Sequence, residues 1–537
     1  MQSTMMDFPL TLAHLFDRAG RYFAKTELVS RRPDRSIHRS SWGEFHSRAQ
    51  KFANALQRLG VQRGDRVATL GWNHTRHLEA YFGVPLMGGV LHTLNPRLSG
   101  QDLAYIMNHA DDRVLLVDDV LLPVWERFRH EVHPRQVIVW SNGAEPPAGM
   151  LDYEQLIKSE LPEFTPVTLD EREAAGICYT SGTTGRPKGV VYSHRSMVLH
   201  AMTAALPDSI GLSQQSVVLP VVPMFHVNAW GLPYVSAMVG AKLVFPGPHL
   251  DAPSVLQLLQ DEKVTCAAGV PTVWLAILDA LDKEPRRWDV SSVKQMVVGG
   301  AAAPQSMIEG FQKRHGLAVL HAWGMTEMSP IGTISRLKPA MLALPESEQY
   351  RKRASQGLAV PLVDVRAVSE SGEVPWDGKS MGELHVRGPF IAKSYYDNPS
   401  EAEKFTMDGW FRTGDVVAID ADGFVRITDR SKDLIKSGGE WISSVELENS
   451  LMGHPAVKEA AVVAVAHPKW DERPVACVVL KDGAKATGDE LREYLEPLFA
   501  KFWLPDAFVF MQAIPRTAAG KFLKTALREQ LKDFKLP

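Results

Sequence analysis

The sequence predicts an α/β fold in which a large N-terminal region of layered helices and strands precedes a small α+β C-terminal domain. The chain has 537 residues, whereas a single core stops growing near about 250–300 residues, so more than one packed unit is expected. Short apolar runs alternate with helical patterns over most of the chain, as in layered α/β folds. The chain turns polar and charged near residues 429–436. We therefore expect domains at 1–431 and 432–537.

The first clear helix pattern lies at residues 41–60. Ser41 and Glu44 have the spacing of a capping box, apolar residues then recur at helical spacing, and Gly60 ends the run. The same patterns predict strands at 66–70, 113–117, 216–222, 241–245 and 293–298 and helices at 74–82 and 254–263. In the small domain they predict a strand at 460–466 and helices at 487–499 and from Ser444.

Composition and charge favour a protein that handles small molecules. The net charge is −3, so bulk charge gives no support for nucleic-acid binding. Three cysteines (Cys178, Cys266 and Cys477) are far apart and lack CxxC spacing, which argues against a disulfide framework or a zinc site. The N-terminus lacks a signal-peptide pattern, and no apolar run reaches the roughly 20 residues that span a bilayer. We expect a cytoplasmic protein without a transmembrane segment.

The most informative stretch is the loop Tyr179–Gly189, which follows the apolar segment Ala174–Cys178. Its glycines let backbone N–H groups approach an anion, its hydroxyls add donors, and Lys188 adds a positive charge. A GTPase-type P-loop would need a second glycine five residues after Gly182, followed by Lys and then Ser or Thr, but this chain has Pro187 at that position. The pattern therefore predicts a phosphate-binding loop of another kind.

The loop resembles the signature of the adenylate-forming superfamily, which includes acyl-CoA synthetases, luciferases and the adenylation domains of peptide synthetases. Further motifs similar to that family's follow in its order, and the resemblance covers about residues 10–530. They are the adenine-side loop Gly299–Pro304, the aromatic-Gly-x-Thr-Glu motif Trp323–Glu327, the ribose motif Phe411–Asp415, the hinge Asp429–Asp433 and the lysine motif Pro515–Lys521.

This resemblance implies that ATP, Mg²⁺ and coenzyme A take part in the reaction. The implied catalytic residues are Lys521, Glu327 and His226, although His226 could instead be a core histidine. Thr180 and Glu327 would lie near Mg²⁺, which prefers hard oxygen ligands. The implied ATP- or AMP-binding residues are Thr180, Ser181, Gly182, Thr183, Thr184, Lys188, Gly299, Gly300, Ala301, His321, Ala322, Trp323, Gly324, Thr326, Asp415, Arg430, Lys432 and Lys436.

The family runs two half-reactions in two orientations of a mobile C-terminal domain. The pivot would be Lys432 in this chain. After the rotation, Gly438, Gly439, Glu440 and Trp441 would face coenzyme A. A solvated basic stretch is the alternative interpretation of Lys436, and a simple turn is the alternative for the two glycines.

Trp230 and the segment 438–441 resemble the medium- and long-chain fatty acyl-CoA synthetase branch, including methylmercaptopropionate-CoA ligase-like enzymes. Trp230 and Val270 would line the acyl pocket, with Pro271, Val273 and Trp274 as further wall. The expected reaction joins a carboxylic acid to coenzyme A through an acyl-adenylate, with a medium- or long-chain fatty acid as substrate. A short thioether acid such as methylmercaptopropionate is the alternative.

Three other functions stay open at this point. A peptide-synthetase module is disfavoured, because no acidic residue in the pocket segments would pair with an amino group and no carrier domain follows residue 537. A non-catalytic binding protein would have lost residues such as Lys188, Glu327, Asp415 or Lys521, all of which are present. A luciferase-type oxygenase shares every ATP motif. Relatives in this branch imply a homodimer.

Overall fold

The structure is a computed structural model that describes residues 1–165, 167–180, 186–437, 440–517, 521–532, 534 and 536, with the side chain of Glu440 excepted. The helices are α1 Leu12–Tyr22, α2 Trp42–Arg58, α3 Thr75–Leu86, α4 Gly100–Ala110, α5 Leu122–Trp125, α6 Tyr153–Lys158, α7 His194–Ala205, α8 Val227–Trp230, α9 Leu232–Val239, α10 Ala252–Asp261, α11 Pro271–Lys283, α12 Gln305–His315, α13 Glu346–Ala354, α14 Ser444–Met452, α15 Gly488–Leu495 and α16 Lys524–Gln530.

The strands form four sheets. In chain order they are β1 Glu27–Arg31, β2 Ile37–Ser41, β3 Arg66–Leu70, β4 Val90–Thr93, β5 Asp112–Asp118, β6 Gln136–Trp140, β7 Leu151–Asp152, β8 Ala174–Tyr179, β9 Gly189–Ser193, β10 Val217–Pro220, β11 Lys242–Phe245, β12 Cys266–Gly269, β13 Gln295–Val298, β14 Val319–Gly324, β15 Ile331–Ile334, β16 Leu358–Ala359, β17 Asp364–Ser369, β18 Gly372–Glu373, β19 Met381–Arg387, β20 Phe411–Ile419, β21 Val425–Arg430, β22 Ile435–Ser437, β23 Glu440–Ile442, β24 Val457–His467, β25 Asp471–Leu480 and β26 Ala507–Phe510.

Two mainly parallel sheets make up most of the N-terminal region. The first has the strand order β7-β6-β5-β3-β4-β8-β9, and the second β16-β15-β14-β13-β12-β10-β11-β1-β2. Parallel strands require crossover connections, and helices supply them and cover the sheets. The large core lies between these layers and includes Trp42, Phe45, Phe82 and Tyr234.

An antiparallel sheet of order β18-β17-β19-β20-β21 follows, and its last strand ends at Arg430. The C-terminal region then forms its own sheet, β23-β22-β25-β24, with β26 parallel to β25. Two cores with members such as Leu447, Val462 and Leu527 lie within this region. The predicted fold class, a large α/β N-terminal region with a small α+β C-terminal domain, is confirmed.

Most predicted elements lie within a few residues of the observed ones, and the deviations have local causes. The strand predicted at 293–298 begins at Gln295 instead, because Val293 closes a turn with Val290 (N–O 3.0 Å). The helix predicted at 254–263 begins at Ala252, since Asp251 accepts a hydrogen bond from the backbone N–H of Ser254 at 3.0 Å. Across the described ranges, no helix is long and apolar enough to cross a membrane.

Candidate functional site

The phosphate loop connects β8 to the antiparallel β9. Its base is closed by two hydrogen bonds: Thr180 N donates to Lys188 O at 2.9 Å, and Lys188 N donates to Thr180 Oγ1 at 3.1 Å. The Lys188 ammonium lies 2.5 Å from a Glu401 carboxylate oxygen and 5.3 Å from the centre of the Tyr395 ring. The base and the lysine therefore have fixed positions. The predicted residues Ser181, Gly182, Thr183 and Thr184 lie outside the described residues.

Glu327 lies in a short 3₁₀ turn, Thr326–Met328, directly after β14. Its side chain is buried, and the Tyr395 hydroxyl donates to its Oε1 at 2.6 Å. Burial, together with the nearby Glu327 charge, raises the pKa of Tyr395, so that hydroxyl stays protonated and remains a donor. The backbone N–H of Ala392 also donates to the Glu327 carbonyl at 2.8 Å. Glu327 therefore presents a fixed, buried carboxylate.

The ribose motif lies where β20 pairs with β21, and Asp415 is opposite Arg430 in the register. The Arg430 Nε–H donates to Asp415 Oδ1 at 2.6 Å, and the Trp323 indole N–H donates to Oδ2 at 3.0 Å. Asp415 is buried, and its charge raises the pKa of Arg430. The resulting carboxyl group is held in place and suited to accept hydrogen bonds from hydroxyl groups.

The adenine-side loop follows β13, and close backbone contacts explain its glycines. Gly300 has φ +82°, a conformation that L side chains rarely adopt, and a Cβ at Gly299 would lie 2.9 Å from the Ala322 carbonyl oxygen. In the neighbouring motif, a Cβ at Gly324 would lie 2.0 Å from the Pro330 carbonyl oxygen. His321 is buried, with Nδ1 within 3.0 Å of the Ala354 and Ser355 carbonyl oxygens. The loop is thus packed closely on β14.

Lys521 comes from the C-terminal domain and reaches this group of charges. Burial, together with the Arg430 charge, lowers its pKa to about 8, while Asp415 and Glu327 oppose the shift. Its backbone N–H donates to Thr517 Oγ1 at 3.2 Å. The structure therefore places the lysine within electrostatic range of two predicted nucleotide-side carboxylates.

His226 lines a small cavity together with Thr180, Tyr179 and Phe225. Burial lowers the pKa of His226 to about 4, and the positive charges of Lys521 and Arg97 act in the same direction. The imidazole is therefore neutral near pH 7 and can offer one hydrogen bond but no charge. His226 therefore lies at the wall of a cavity and is not enclosed in the core.

Trp230 and Val270 flank the glycines of the adenine-side loop. A Cβ at Gly300 would lie 3.3 Å from Val270 Cγ1 and 3.9 Å from Trp230 Cζ2. Trp230 ends α8, whose residues have left-handed φ values of 44°, 53°, 49° and 56° in chain order. Trp274 was predicted as pocket wall, but its side chain is fully buried and its indole N–H donates to the carbonyls of Gly269 and Val297 at 3.1 Å. That expectation was wrong: Trp274 is apolar because it packs in the core, and it does not face the pocket.

The remaining predicted residues lie near the domain boundary. Lys432 is exposed, and its carbonyl accepts a hydrogen bond from Arg528 at 3.3 Å. Lys436 is also exposed and lies on β22, with its ammonium 5.8 Å from the centre of the half-exposed Trp441 ring. Gly438 and Gly439 lie outside the described residues. Lys436 is thus positioned beside the predicted coenzyme A side.

Several supporting residues were not predicted from the sequence. Tyr395 and Glu401 contact Glu327 and Lys188, as described above. At the other face of the phosphate loop, His109 Nδ1 lies 2.7 Å from the Tyr179 hydroxyl, and the Arg186 guanidinium lies 5.1 Å from the centre of the Tyr105 ring. Tyr105 and His109 both belong to α4, so this helix supports both ends of the loop. No periodicity or motif marks these positions.

Two family models match the chain. The family model described as AMP-binding enzyme matches residues 15–396, and the model described as AMP-binding enzyme C-terminal domain matches residues 446–521. The two models together cover both regions that contribute to the site.

Three curated relatives align over nearly the whole chain. A long-chain-fatty-acid–CoA ligase of Thermus thermophilus is 52% identical, with 99% of this chain and 97% of the relative covered. A 3-methylmercaptopropionyl-CoA ligase of Ruegeria lacuscaerulensis is 44% identical (99% and 99% covered), and a medium-chain-fatty-acid–CoA ligase of Ectopseudomonas oleovorans is 44% identical (100% and 98% covered).

Solved structures share the fold. The crystal structure of an anthranilate CoA ligase in complex with anthranoyl-AMP superposes with a TM-score of 0.87 at 26% identity, covering 98% of each chain. That complex contains an acyl-adenylate in a protein of the same architecture.

Proposed function

The chain belongs to the family of AMP-binding enzymes and is an AMP-forming acid–CoA ligase, and we propose that its acid is a medium- or long-chain fatty acid. In the first half-reaction, a carboxylate and ATP give an acyl-adenylate and pyrophosphate. In the second, the thiol of coenzyme A displaces AMP and forms the thioester.

The observation that supports the adenylation step is that the Lys521 ammonium interacts electrostatically with Arg430, Asp415 and Glu327. In adenylation, a carboxylate oxygen forms a bond to the α-phosphorus while the bond to the pyrophosphate oxygen breaks. Negative charge accumulates on the reacting oxygens, and a positioned ammonium group stabilises it. Asp415 would hold the ribose hydroxyls, so that the α-phosphate lies within reach of Lys521.

Mg²⁺ fits the residues we assign to it. Thr180 supplies a hydroxyl at the base of the phosphate loop, and Glu327 supplies a carboxylate with Tyr395 bound to one oxygen. Among the described residues, no group of three or more His, Cys, Asp or Glu could hold a metal ion. A hydroxyl and a carboxylate are the hard oxygen ligands that Mg²⁺ prefers. When bound, Mg²⁺ would neutralise phosphate charge, while Lys188 adds a second cation.

For the second half-reaction we propose that residues 432–537 rotate about Lys432. Lys432 and Lys436 are exposed at the boundary, and Trp441 presents a half-exposed ring beside Lys436. These features support a role for segment 438–441 on the coenzyme A side. The neutral His226 would orient the carbonyl oxygen during thiol attack without introducing a competing charge.

The choice of acid rests on the relatives and on the apolar surroundings of Trp230 and Val270. A fatty acid agrees with the long- and medium-chain ligases described above. The alternative acid is methylmercaptopropionate, since the relative acting on that compound is 44% identical. We also propose a cytoplasmic homodimer, which light scattering of the purified protein would test.

The test is a substrate panel. Purified protein is incubated with ATP, Mg²⁺, coenzyme A and acids from acetate to palmitate, including methylmercaptopropionate, and AMP and acyl-CoA are measured by mass spectrometry. We expect equal amounts of AMP and thioester, with the highest kcat/KM for a fatty acid of medium or long chain. AMP without thioester would refute the second half-reaction, and preference for the thioether acid would select the alternative.

A further inference from the structure

Strand β21 meets the start of α14 where the two regions of the molecule are in contact. β21 ends before the proposed pivot Lys432, and α14 begins after it. Two pairs of residues bridge this contact: Ser443 Oγ donates to the Thr428 carbonyl oxygen, and Ser444 N donates to Asp429 Oδ2 at 2.7 Å. The contact therefore joins residues on opposite sides of the pivot.

Asp429 is the main acceptor in this contact. Its Oδ2 also accepts a hydrogen bond from Ser444 Oγ at 2.5 Å, and its Oδ1 accepts one from the backbone N–H of Arg430 at 2.8 Å. Asp429 is 1% exposed, and Ser444 is fully buried. Loss of one partner would leave a buried polar group unsatisfied, which costs free energy. The contact therefore favours the observed arrangement of the two regions.

Lys524 extends the contact to the segment that carries Lys521. The Lys524 ammonium donates to Ser444 Oγ and lies 2.7 Å from a Glu448 carboxylate oxygen on α14. Ser444 Oγ thus accepts a hydrogen bond from Lys524 while it donates one to Asp429. Lys524 is the first residue of α16 and lies three residues after Lys521. A continuous chain of hydrogen bonds therefore connects Asp429 to the start of α16.

The loop that carries Lys521 is closed at its base on this helix. Leu523 N donates to the Pro515 carbonyl oxygen at 2.8 Å, and Thr517 N donates to the Lys521 carbonyl oxygen at 2.8 Å. Because the two arms of the loop are bonded to each other, Lys521 moves with the start of α16. Asp429 can therefore influence adenylation through the position of Lys521, without touching the reacting groups.

The part of the interface nearest Lys521 is a cleft between the two regions. Val270 and Ala301 line it on the N-terminal side, and Met452 and Phe522 line it on the C-terminal side. The attraction between apolar surfaces is non-directional, whereas hydrogen bonds require a defined geometry. The hydrogen bonds between β21 and α14 are therefore better suited than the cleft walls to select one orientation of the C-terminal region.

Resting on the proposed function, we propose that Asp429 and Ser444 are positioning residues for adenylation: they stabilise the orientation of the C-terminal region that places Lys521 in the nucleotide site. Rotation about Lys432 separates the two residues, because Asp429 lies before the pivot and Ser444 after it. Their contact therefore stabilises the adenylation orientation alone, and it competes with the orientation that forms the thioester.

The experiment measures the two half-reactions separately in the full-length protein, with the best acid of the substrate panel. Adenylation is followed as ATP–pyrophosphate exchange without coenzyme A. Thioester formation is followed in a single turnover from purified acyl-adenylate and coenzyme A. We expect exchange to fall about 10-fold in Asp429→Ala and about 3-fold in Ser444→Ala, which keeps the backbone hydrogen bond to Asp429. The rate of thioester formation should equal that of the wild type or exceed it.

The ratio of the two rates separates a positioning role from a purely structural one. A variant that only folds less well loses both half-reactions by the same factor, and that result would overturn the proposal. Unchanged exchange in Asp429→Ala would overturn it as well. Ser450→Ala is the matched control, since it removes a serine hydroxyl from the last turn of the same helix and should leave both rates unchanged. Thermal unfolding checks the fold of each variant, and Ser444→Ala decides the question if Asp429→Ala does not fold.

The two hypotheses fail in different ways. A wild-type chain that exchanges pyrophosphate with none of the acids refutes the proposed function and this inference with it. An active wild type whose ratio of half-reactions is insensitive to Asp429 and Ser444 refutes the inference alone.

Discussion

The nucleotide side of the site and the cleft beside it are built on different principles. On the nucleotide side, charged groups are fixed by short hydrogen bonds, such as those of Asp415 with Trp323 and Arg430 at 3.0 and 2.6 Å. In the cleft between the N-terminal and C-terminal regions, apolar side chains of the two regions face each other. The distance between these side chains depends on how the regions dock. The comparison teaches that charge positioning is local, whereas the shape of the cleft depends on how the two regions dock.

If this division is correct, damage to the nucleotide side must lower the rate with every acid alike. Lys521→Ala should have the largest effect, because it removes a positioned cation from the adenylation transition state. We expect a loss of about 10²–10³-fold in pyrophosphate exchange. Lys532→Ala, which removes an exposed lysine of the same domain, is the control, and thermal unfolding checks the fold. Near-normal pyrophosphate exchange in Lys521→Ala would show that adenylation does not need this lysine.

Asp415→Asn should have the next largest effect. The amide loses the charge that binds Arg430 and one of the acceptors available to ribose, and hydrogen bonds to charged groups contribute about 1.5–3 kcal/mol. We expect kcat/KM for ATP to fall about 10–100-fold while the order of preference among acids stays the same. Asp364→Asn breaks an exposed ion pair with Arg387 on the same sheet and should leave both unchanged. A changed acid preference in Asp415→Asn would contradict the separation of the two regions.

The pH dependence of adenylation tests the role of Lys521 on the nucleotide side. The active form of Lys521 is the ammonium, and its pKa is lowered to about 8, so activity should be lost as pH rises through that value. The protonated fraction falls to about one tenth one pH unit above the pKa, so kcat/KM for exchange should drop about 5- to 10-fold between pH 7 and 9. Lys521→Arg should be slower but lack this decline. A decline of equal size in the arginine variant would assign it to another group.

Tyr395→Phe should have the smallest effect. It removes one hydrogen bond to Glu327 and keeps the ring beside Lys188, and a single hydrogen bond contributes about 1 kcal/mol. We expect about a fivefold loss of kcat/KM, expressed as a higher Mg²⁺ concentration for half-maximal rate. Tyr396→Phe changes the adjacent tyrosine and serves as the control. Equal losses in both variants would show that the Glu327 contact is not specific.

The comparison also explains what the sequence could predict. The nucleotide-side residues lie at the ends of strands in contiguous motifs, so a short stretch such as Phe411–Asp415 contains both the residue and its context. Tyr395 lies in no such motif, and only the folded chain brings it to Glu327. Met452 and Phe522 are far apart in sequence, and only the folded chain, in which Lys524 binds α14, brings them to one cleft between the two regions. The sequence shows that Trp274 is apolar, but it does not show whether the side chain packs in the core or lines a pocket.

One feature of the pocket has a thermodynamic consequence for the whole enzyme. The turn Val227–Trp230 holds four non-glycine residues in the left-handed conformation, which costs roughly 1–2 kcal/mol per residue. This conformational cost lowers the free energy of unfolding of the native state. A glycine at one of these positions would remove this backbone cost, and it would also loosen the position of the Trp230 indole. With Trp230 in its proposed place in the acyl pocket, the most stable sequence at this turn would not be the most selective one, and selection for heat tolerance alone would erode the choice of acid.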